Sequence, residues 1–245
     1  MENHHSLNGQ IILVTGAARR LGRALALACA RAGADVIIHH GHSKQEALQV
    51  REEIKSIGRQ AWIVQADFGK PDQIAGLISE AGTIGKLDAL VNNAAIFESK
   101  SVQDTTLADW ENHLAINLTT PFLISQAFAK QVDEGKTGRI VNILDWRALR
   151  PGADHFPYTI SKAALAAMTK SLAVALAPNI SVNGLAFGAI LSPSDKPANK
   201  KILEAVPAGR WGDLKEVEEA LIFLLTGPTY ITGEIIHVDG GRHLV

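Results

Sequence analysis

Cysteine is nearly absent from this 245-residue chain, where Cys29 stands alone. That excludes an intrachain disulfide and a cysteine-rich zinc site, and it fits a reducing, cytoplasmic setting. Aromatic residues are scarce as well, at 5%, with only two tyrosines, so a tyrosine inside a pattern stands out. Charge of either sign is not in excess: 24 basic against 25 acidic residues leave a net −1, which gives no bulk drive toward nucleic acid or anionic membranes. No apolar run approaches the length of a membrane span, and the opening MENHHSLNGQ is too polar for a signal peptide. No function is read into His4 and His5. Linkers rich in proline, glycine or serine and internal repeats are also lacking, so one domain over 1–245 is expected. What is plentiful is apolar content, 47%, enough for one large core.

Apolar runs at 11–14, 36–38, 61–65, 87–91, 139–144, 181–185 and 234–238 read as strands. Leu21, Ala24, Leu25, Ala28, Cys29 and Ala32 recur at helical spacing until Gly33 stops them. Further helices are expected at 44–57, 71–84, 107–132 and from Tyr158 to about Leu176, with a last one carrying Val217, Ala220, Leu221, Leu224 and Leu225. Cys29 falls on the apolar face of the first helix, a poor position for a nucleophile. Strands alternate with helices, and most strands are apolar on both faces. That predicts an α/β fold, a parallel sheet covered by helices on both sides. The polar stretch 192–201 breaks the pattern and suggests a loop or lid.

Directly after the first strand comes Thr15-Gly16-Ala17-Ala18-Arg19-Arg20-Leu21-Gly22. A glycine turn opening a helix offers backbone N–H groups and a positive dipole end to a pyrophosphate, although such a turn can also serve tight packing alone. In dinucleotide folds an acid ending the second strand holds the ribose hydroxyls of NAD. Here that position reads His39-His40-Gly41-His42-Ser43, without an acid, which favours the 2′-phosphate of NADP. A solvated turn with no ligand is the competing reading. Three histidines with no carboxylate or thiol beside them make a poor metal site, and none is expected.

Tyr158 and Lys162 stand four apart at the head of an apolar helical run, and so share a helix face. A buried ammonium beside a phenol is expected to lower the phenol from its ordinary pKa of about 10. Such a pair can exchange a proton with a carbonyl or imine. Asp145, at the end of the 139–144 run, places a carboxylate where a sheet delivers chemistry; it could instead serve as a cap or pair with Arg147 or Arg19. Trp146 reads as a wall residue.

Together, TGAARRLG, NNAA at 92–95, Asn117, Tyr158-x-x-x-Lys162 and YITGEIIHVDGG resemble the short-chain dehydrogenases/reductases over essentially the whole chain. The resemblance implies a doubly wound (Rossmann-like), mostly parallel seven-stranded sheet, hydride transfer with a nicotinamide, and a homotetramer. It implies an Asn117–Tyr158–Lys162 proton relay. The cofactor set it implies is Gly16, Arg19, Arg20, Leu21, His39, His42, Ser43, Ala66, Asp67, Phe68, Asn93, Ala94, Ala95, Tyr158, Lys162, Gly188 and Ile190. Three departures stand out: Arg20 replaces the loop's middle glycine, Asp145 replaces the serine that polarises a carbonyl, and Phe187-Gly188 replaces Pro-Gly. The first two resemble the pteridine reductase and dihydromonapterin reductase branch, as does Phe97, placed where that branch carries the aromatic over the pterin. The expected function is NADPH-dependent reduction of a dihydropterin, with Arg20, Phe97, Asp145 and Tyr158 toward the substrate. Phe97 as plain core, a generic carbonyl reductase acting on 3-oxoacyl or ketone substrates, and a non-catalytic NADP-binding protein are the rival readings.

Overall fold

The computed structural model describes residues 6–133, 135–191 and 201–245. Seven strands, β1 Ile11–Val14, β2 Asp35–His40, β3 Ala61–Gln65, β4 Ala89–Asn92, β5 Gly138–Asp145, β6 Ile180–Phe187 and β7 Ile235–Val238, form one sheet. Their order is β3-β2-β1-β4-β5-β6-β7, and every pairing is parallel. The reversal between β1 and β4 opens the crevice where such sheets bind ligands, at the carboxyl ends of the strands.

Alternation along the strands explains why they are apolar throughout. Ile12, Val14, Val36 and Ile38 face one core, shared with α1 (Arg20–Arg31), α2 (Lys44–Ser56) and α8 (Leu214–Thr226). Leu13, Ile37, Leu90 and Ile140 face the other, filled by Leu77 and Ile78 of α3 (Pro71–Ile84) and by Ile124 and Phe128 of α5 (Thr120–Ala129). Both sides are dry, so no polar face remains for the sequence to display. A short helix, α7 (Lys201–Glu204), precedes α8. The expected lid at 192–201 lies almost wholly outside the described residues.

Two expectations are corrected. The single helix at 107–132 is two, α4 (Leu107–Leu114) and α5, joined by a wider π-helical turn over Ala115–Thr119. Pro121 is the physical reason: it lacks the N–H that the ladder needs, and the turn before it loosens. Asn117 sits in that turn. The second correction concerns α6 (Phe156–Leu176), 21 residues long, in which an 18-residue window has a mean hydropathy of 1.2, enough by length and composition to cross a bilayer. Its place on the sheet and its buried Tyr158, Ser161 and Lys162 identify it instead as a core helix.

Candidate active site

The β1 and β4 exits are stitched together by Thr15 and Asn93. The Thr15 hydroxyl accepts the N–H groups of Asn93 and Ala94 at 2.9 and 3.0 Å, and Asn93 Nδ2 donates to Thr15 O at 2.8 Å. Gly22 brings α1 against this turn: a Cβ there would lie 2.1 Å from Gly16 O and 2.6 Å from Asn93 Nδ2. The glycine turn therefore presents its backbone bare at the helix start, as a phosphate cradle requires.

Arg20 occupies the first position of α1 with φ +52°. A side chain in the left-handed region costs about 1–2 kcal/mol, which is why glycine is the easier residue at this place. Arg20→Gly should accordingly be about 1 kcal/mol more stable than Arg20→Ala in urea unfolding, since only glycine removes the strain. Both substitutions should weaken NADPH more than NADH, read from the two dissociation constants; equal losses would take Arg20 away from the 2′-phosphate.

His39 is placed differently from expectation. β2 runs on to His40, so His39 and His40 are strand residues, each 2% exposed. His39 Nδ1 accepts the Gly16 N–H at 3.0 Å, Nε2 donates to Ala66 O at 2.9 Å, and the ring stacks on Phe68 at 4.1 Å. Burial first, and His40 after the opposing Ala66 hydrogen bond, push its pKa down to about 4, so the ring is neutral. Both nitrogens are committed to backbone, and His39 shapes the pocket between Gly16 and Ala66 rather than offering a cation. His42 and Ser43 lie beyond it on the surface side, His42 3.6 Å from Asp67, and Arg19 3.7 Å from Glu46. No carboxylate terminates β2. With bare glycine backbone and arginines at the α1 start, these residues fit a phosphate-bearing dinucleotide of the NADP type. Asp67, whose carboxylate accepts the Gly69 N–H at 3.0 Å, and Ala94 and Ala95 flank the same crevice.

Gly188 leaves β6 pressed against Asp239, whose Cα would be 2.7 Å from an added Cβ. Ile190 follows and lines a cavity of about 360 Å³ with Arg210, Glu216, His237, Asp239 and His243. That cavity lies beside the reactive residues and does not contain them. Leu21 packs on the α1 core, and Phe187 is buried within it.

The reactive cluster is built by β5 and α6. Asp145 ends β5 with its two oxygens divided: Oδ1 accepts the Arg147 N–H at 2.9 Å, and Oδ2 accepts the Tyr158 hydroxyl at 3.2 Å. It is thus a cap and a Tyr158 partner at once. Phe97, 52% exposed, meets Tyr158 edge-on at 4.6 Å and stacks on His155 at 4.1 Å. Lys162 is buried; Nζ donates to Ile143 O at 2.7 Å and lies 5.9 Å from the Tyr158 ring centre. Asn117 clamps Ile96, accepting its N–H at 2.9 Å and donating to its carbonyl at 3.0 Å, and donates to Ser161 at 3.0 Å. In this geometry Asn117 positions the Phe97 segment against α6.

The expected lowering of the phenol is reversed. Burial, then the charge and hydrogen bond of Asp145, raise Tyr158 well above its ordinary pKa. Burial sets the sign and Asp145 adds to it, because the carboxylate touches the phenol whereas the Lys162 ammonium points to a carbonyl. Lys162 is pushed down to about 8 by burial, with Asp145 opposing. Cys29 is buried and its thiol pushed up to about 12, which removes it as a nucleophile.

Sequence reading gave no role to the Thr15 side chain, Asp154 or His155, and named Arg147 only as an alternative partner of Asp145. Arg147 bridges Asp154 at 3.0 Å and Asp145 at 3.6 Å, and Asp154 also meets His155 at 3.0 Å. His155 holds φ +53° just before α6, a left-handed turn that no spacing reveals.

Comparison with known proteins agrees with the fold. The profile of the family described as enoyl-(acyl carrier protein) reductase matches residues 16–243. The chain is 39% identical to the 3-oxoacyl-[acyl-carrier-protein] reductase FabG of Aquifex aeolicus, over 96% of this chain and 98% of that one. It is 32% identical to the 2-dehydro-3-deoxy-D-gluconate 5-dehydrogenase of Dickeya dadantii, over 98% and 97%. Among solved structures, FolM alternative dihydrofolate reductase 1 from Brucella canis, complexed with NADP, superposes with a TM-score of 0.89 at 36% identity, covering 97% of this chain and 95% of that one. With its parallel seven-stranded sheet, glycine turn and Tyr158–Lys162 pair, the chain belongs to the short-chain dehydrogenase/reductase family.

Proposed function

We propose that the protein reduces a dihydropterin to its tetrahydro form, adding hydride at C6 and a proton at N5. NADP(H) is the cofactor, and when bound it supplies the hydride. The observation that carries the reading is Asp145: a carboxylate stands where the family's serine polarises a carbonyl, and it accepts the hydroxyl of the proton-donating tyrosine at 3.2 Å. An imine nitrogen needs a proton delivered to it. Burial and Asp145 keep Tyr158 protonated at neutral pH but make it a weaker acid, so release of its proton depends on what offsets the phenolate that forms. A tyrosine that has given its proton is a phenolate beside a carboxylate, and the buried Lys162 ammonium offsets that charge. Asp145 can also accept an amino or N–H group of the ring, which a serine does less well. Phe97, half-exposed over Tyr158, offers the ring a stacking face. The likeness to an alternative dihydrofolate reductase supports the same substrate class.

A second reading is favoured by the 39% identity to a 3-oxoacyl-[acyl-carrier-protein] reductase: a carbonyl reductase whose serine has become an acid. NADPH oxidation over dihydromonapterin, dihydrobiopterin, dihydrofolate and a β-ketoester separates the two. Turnover of the pterins supports the first; turnover of the ketoester alone replaces it with the second.

We also propose a homotetramer, with α4, α5 and α6 supplying one interface, where Leu107, Phe122 and Val174 are exposed at 72%, 40% and 82%. Light scattering at micromolar concentration should give four times the chain mass of 26.2 kDa, and a monomer would reject it.

A further inference from the structure

The turn after Asp145 gathers three arginines, of which only Arg147 forms an ion pair among the described residues. Trp146 lies under two guanidinium groups: the central carbon of Arg147 is 4.8 Å from its ring centre and that of Arg242 is 4.4 Å. Arg147 is committed to Asp145 and Asp154. Arg242 has no acid within ion-pair distance among the described residues, and its Nε is buried without a hydrogen-bond partner. Arg150 adds a third cation, donating from Nη1 to Arg242 O at 3.3 Å and likewise meeting no acid among the described residues. The nearby Asp239 is used by His243 at 2.8 Å and by the backbone of Gly241 and His243.

An arginine half-withdrawn from water beside another arginine is an unfavourable arrangement unless something negative completes it. Burial, then the neighbouring Arg147, lower the Arg242 pKa, against the charges of Asp145, Asp154 and Asp239, which raise it. The place matters as much as the charge. Trp146 adjoins Asp145, Arg147 reaches within 5.8 Å of the Phe97 ring centre beside Tyr158, and Arg242 lies on the same Trp146 ring. We propose that Arg242, with Arg150 and Arg147 around Trp146, forms a subsite for a carboxylate on the tail of the substrate. The guanidinium fork matches a carboxylate in two parallel hydrogen bonds, and Trp146 holds Arg242 flat for that contact. This rests on the dihydropterin reading and narrows it: the physiological ring carries an anionic tail rather than an uncharged polyol.

The test compares dihydrofolate, whose tail bears carboxylates, with dihydrobiopterin, whose tail does not, in NADPH oxidation by wild type, Arg242→Gln and Arg242→Lys. In Arg242→Gln the ratio of kcat/KM for dihydrofolate over dihydrobiopterin should fall about tenfold, through KM, as expected for one charge-assisted contact. Arg242→Lys should recover part of it. Raising the ionic strength should lower the same ratio in the wild type, an arm that needs no variant. A ratio that stays constant through the substitutions and through added salt overturns the subsite while leaving pterin reduction in place. A wild type that turns over neither pterin overturns the reading beneath it and the tail assignment with it.

Discussion

Asp145→Ser is expected to lower kcat for dihydropterin reduction by about 10²–10⁴-fold, the contribution of a general acid–base group, and to leave NADPH affinity nearly unchanged. The substitution restores the residue the family normally carries, so it is the harshest test of whether the acid belongs to the chemistry. If Asp145 only capped the turn through the Arg147 N–H, a serine hydroxyl would accept the same bond and activity would survive. The same variant has a spectroscopic readout. Asp145 raises the Tyr158 pKa through its charge and its hydrogen bond, so removing the carboxylate should bring the phenol down. The chain has two tyrosines, and Tyr230 is 99% exposed and serves as an internal reference. Tyrosinate absorbance followed against pH should show Tyr158 ionising at lower pH in Asp145→Ser than in wild type. Full dihydropterin activity in the variant would make Asp145 structural and leave the carbonyl-reductase reading in front.

The fold was legible because both of its signals are local. Buried strands such as Ile11–Val14 and Ala61–Gln65 declare themselves by short apolar runs, and α3 by Pro71 and its periodicity. The glycine turn and the Tyr158–Lys162 spacing carry chemistry within a few residues of one another. What escaped depends on which atoms meet across the sheet ends. His39 looked like a solvated donor because a histidine ending an apolar run reads as the start of a turn; two more pairs with β3, His39 with Val64 and His40 with Gln65, keep it in the strand, under Phe68. Tyr158 is raised first by burial and then by Asp145 taking the phenol while Lys162 bonds to Ile143 O, an enclosure and a choice of partners that i,i+4 spacing does not contain. Arg147 and His155 matter only once Asp154 folds back between them. Pro121 is the exception: it announced the break in the long helix, and its signal lay in plain sequence.

Lys162→Met should separate catalysis from stability by moving them in opposite directions. Lys162 is held at a pKa of about 8 instead of its ordinary 10.5, a difference of about 3 kcal/mol between its charged and neutral forms in the buried site. Its folded value lies below its unfolded one, so between about pH 8 and 10.5 the unfolded chain binds more protons than the native protein. Stability therefore gains from this group as pH rises through that window, and its desolvation cost is fully present below pH 8. Methionine has nearly the same length without the charge. It forfeits the charge-assisted hydrogen bond to Ile143 O, worth about 2 kcal/mol, against a cost of about 3 kcal/mol for the buried ammonium. The variant should be at least as resistant to urea as wild type at neutral pH and should lose the rise in stability above pH 8. Activity should go the other way, falling by about 10²-fold or more, because no cation remains to offset a phenolate beside Asp145. In wild type, kcat/KM should decline above about pH 8 as Lys162 gives up its proton. A Lys162→Met protein that is clearly less stable at neutral pH would mean that the ammonium holds the fold together, and its loss of activity would then say nothing about the proton path.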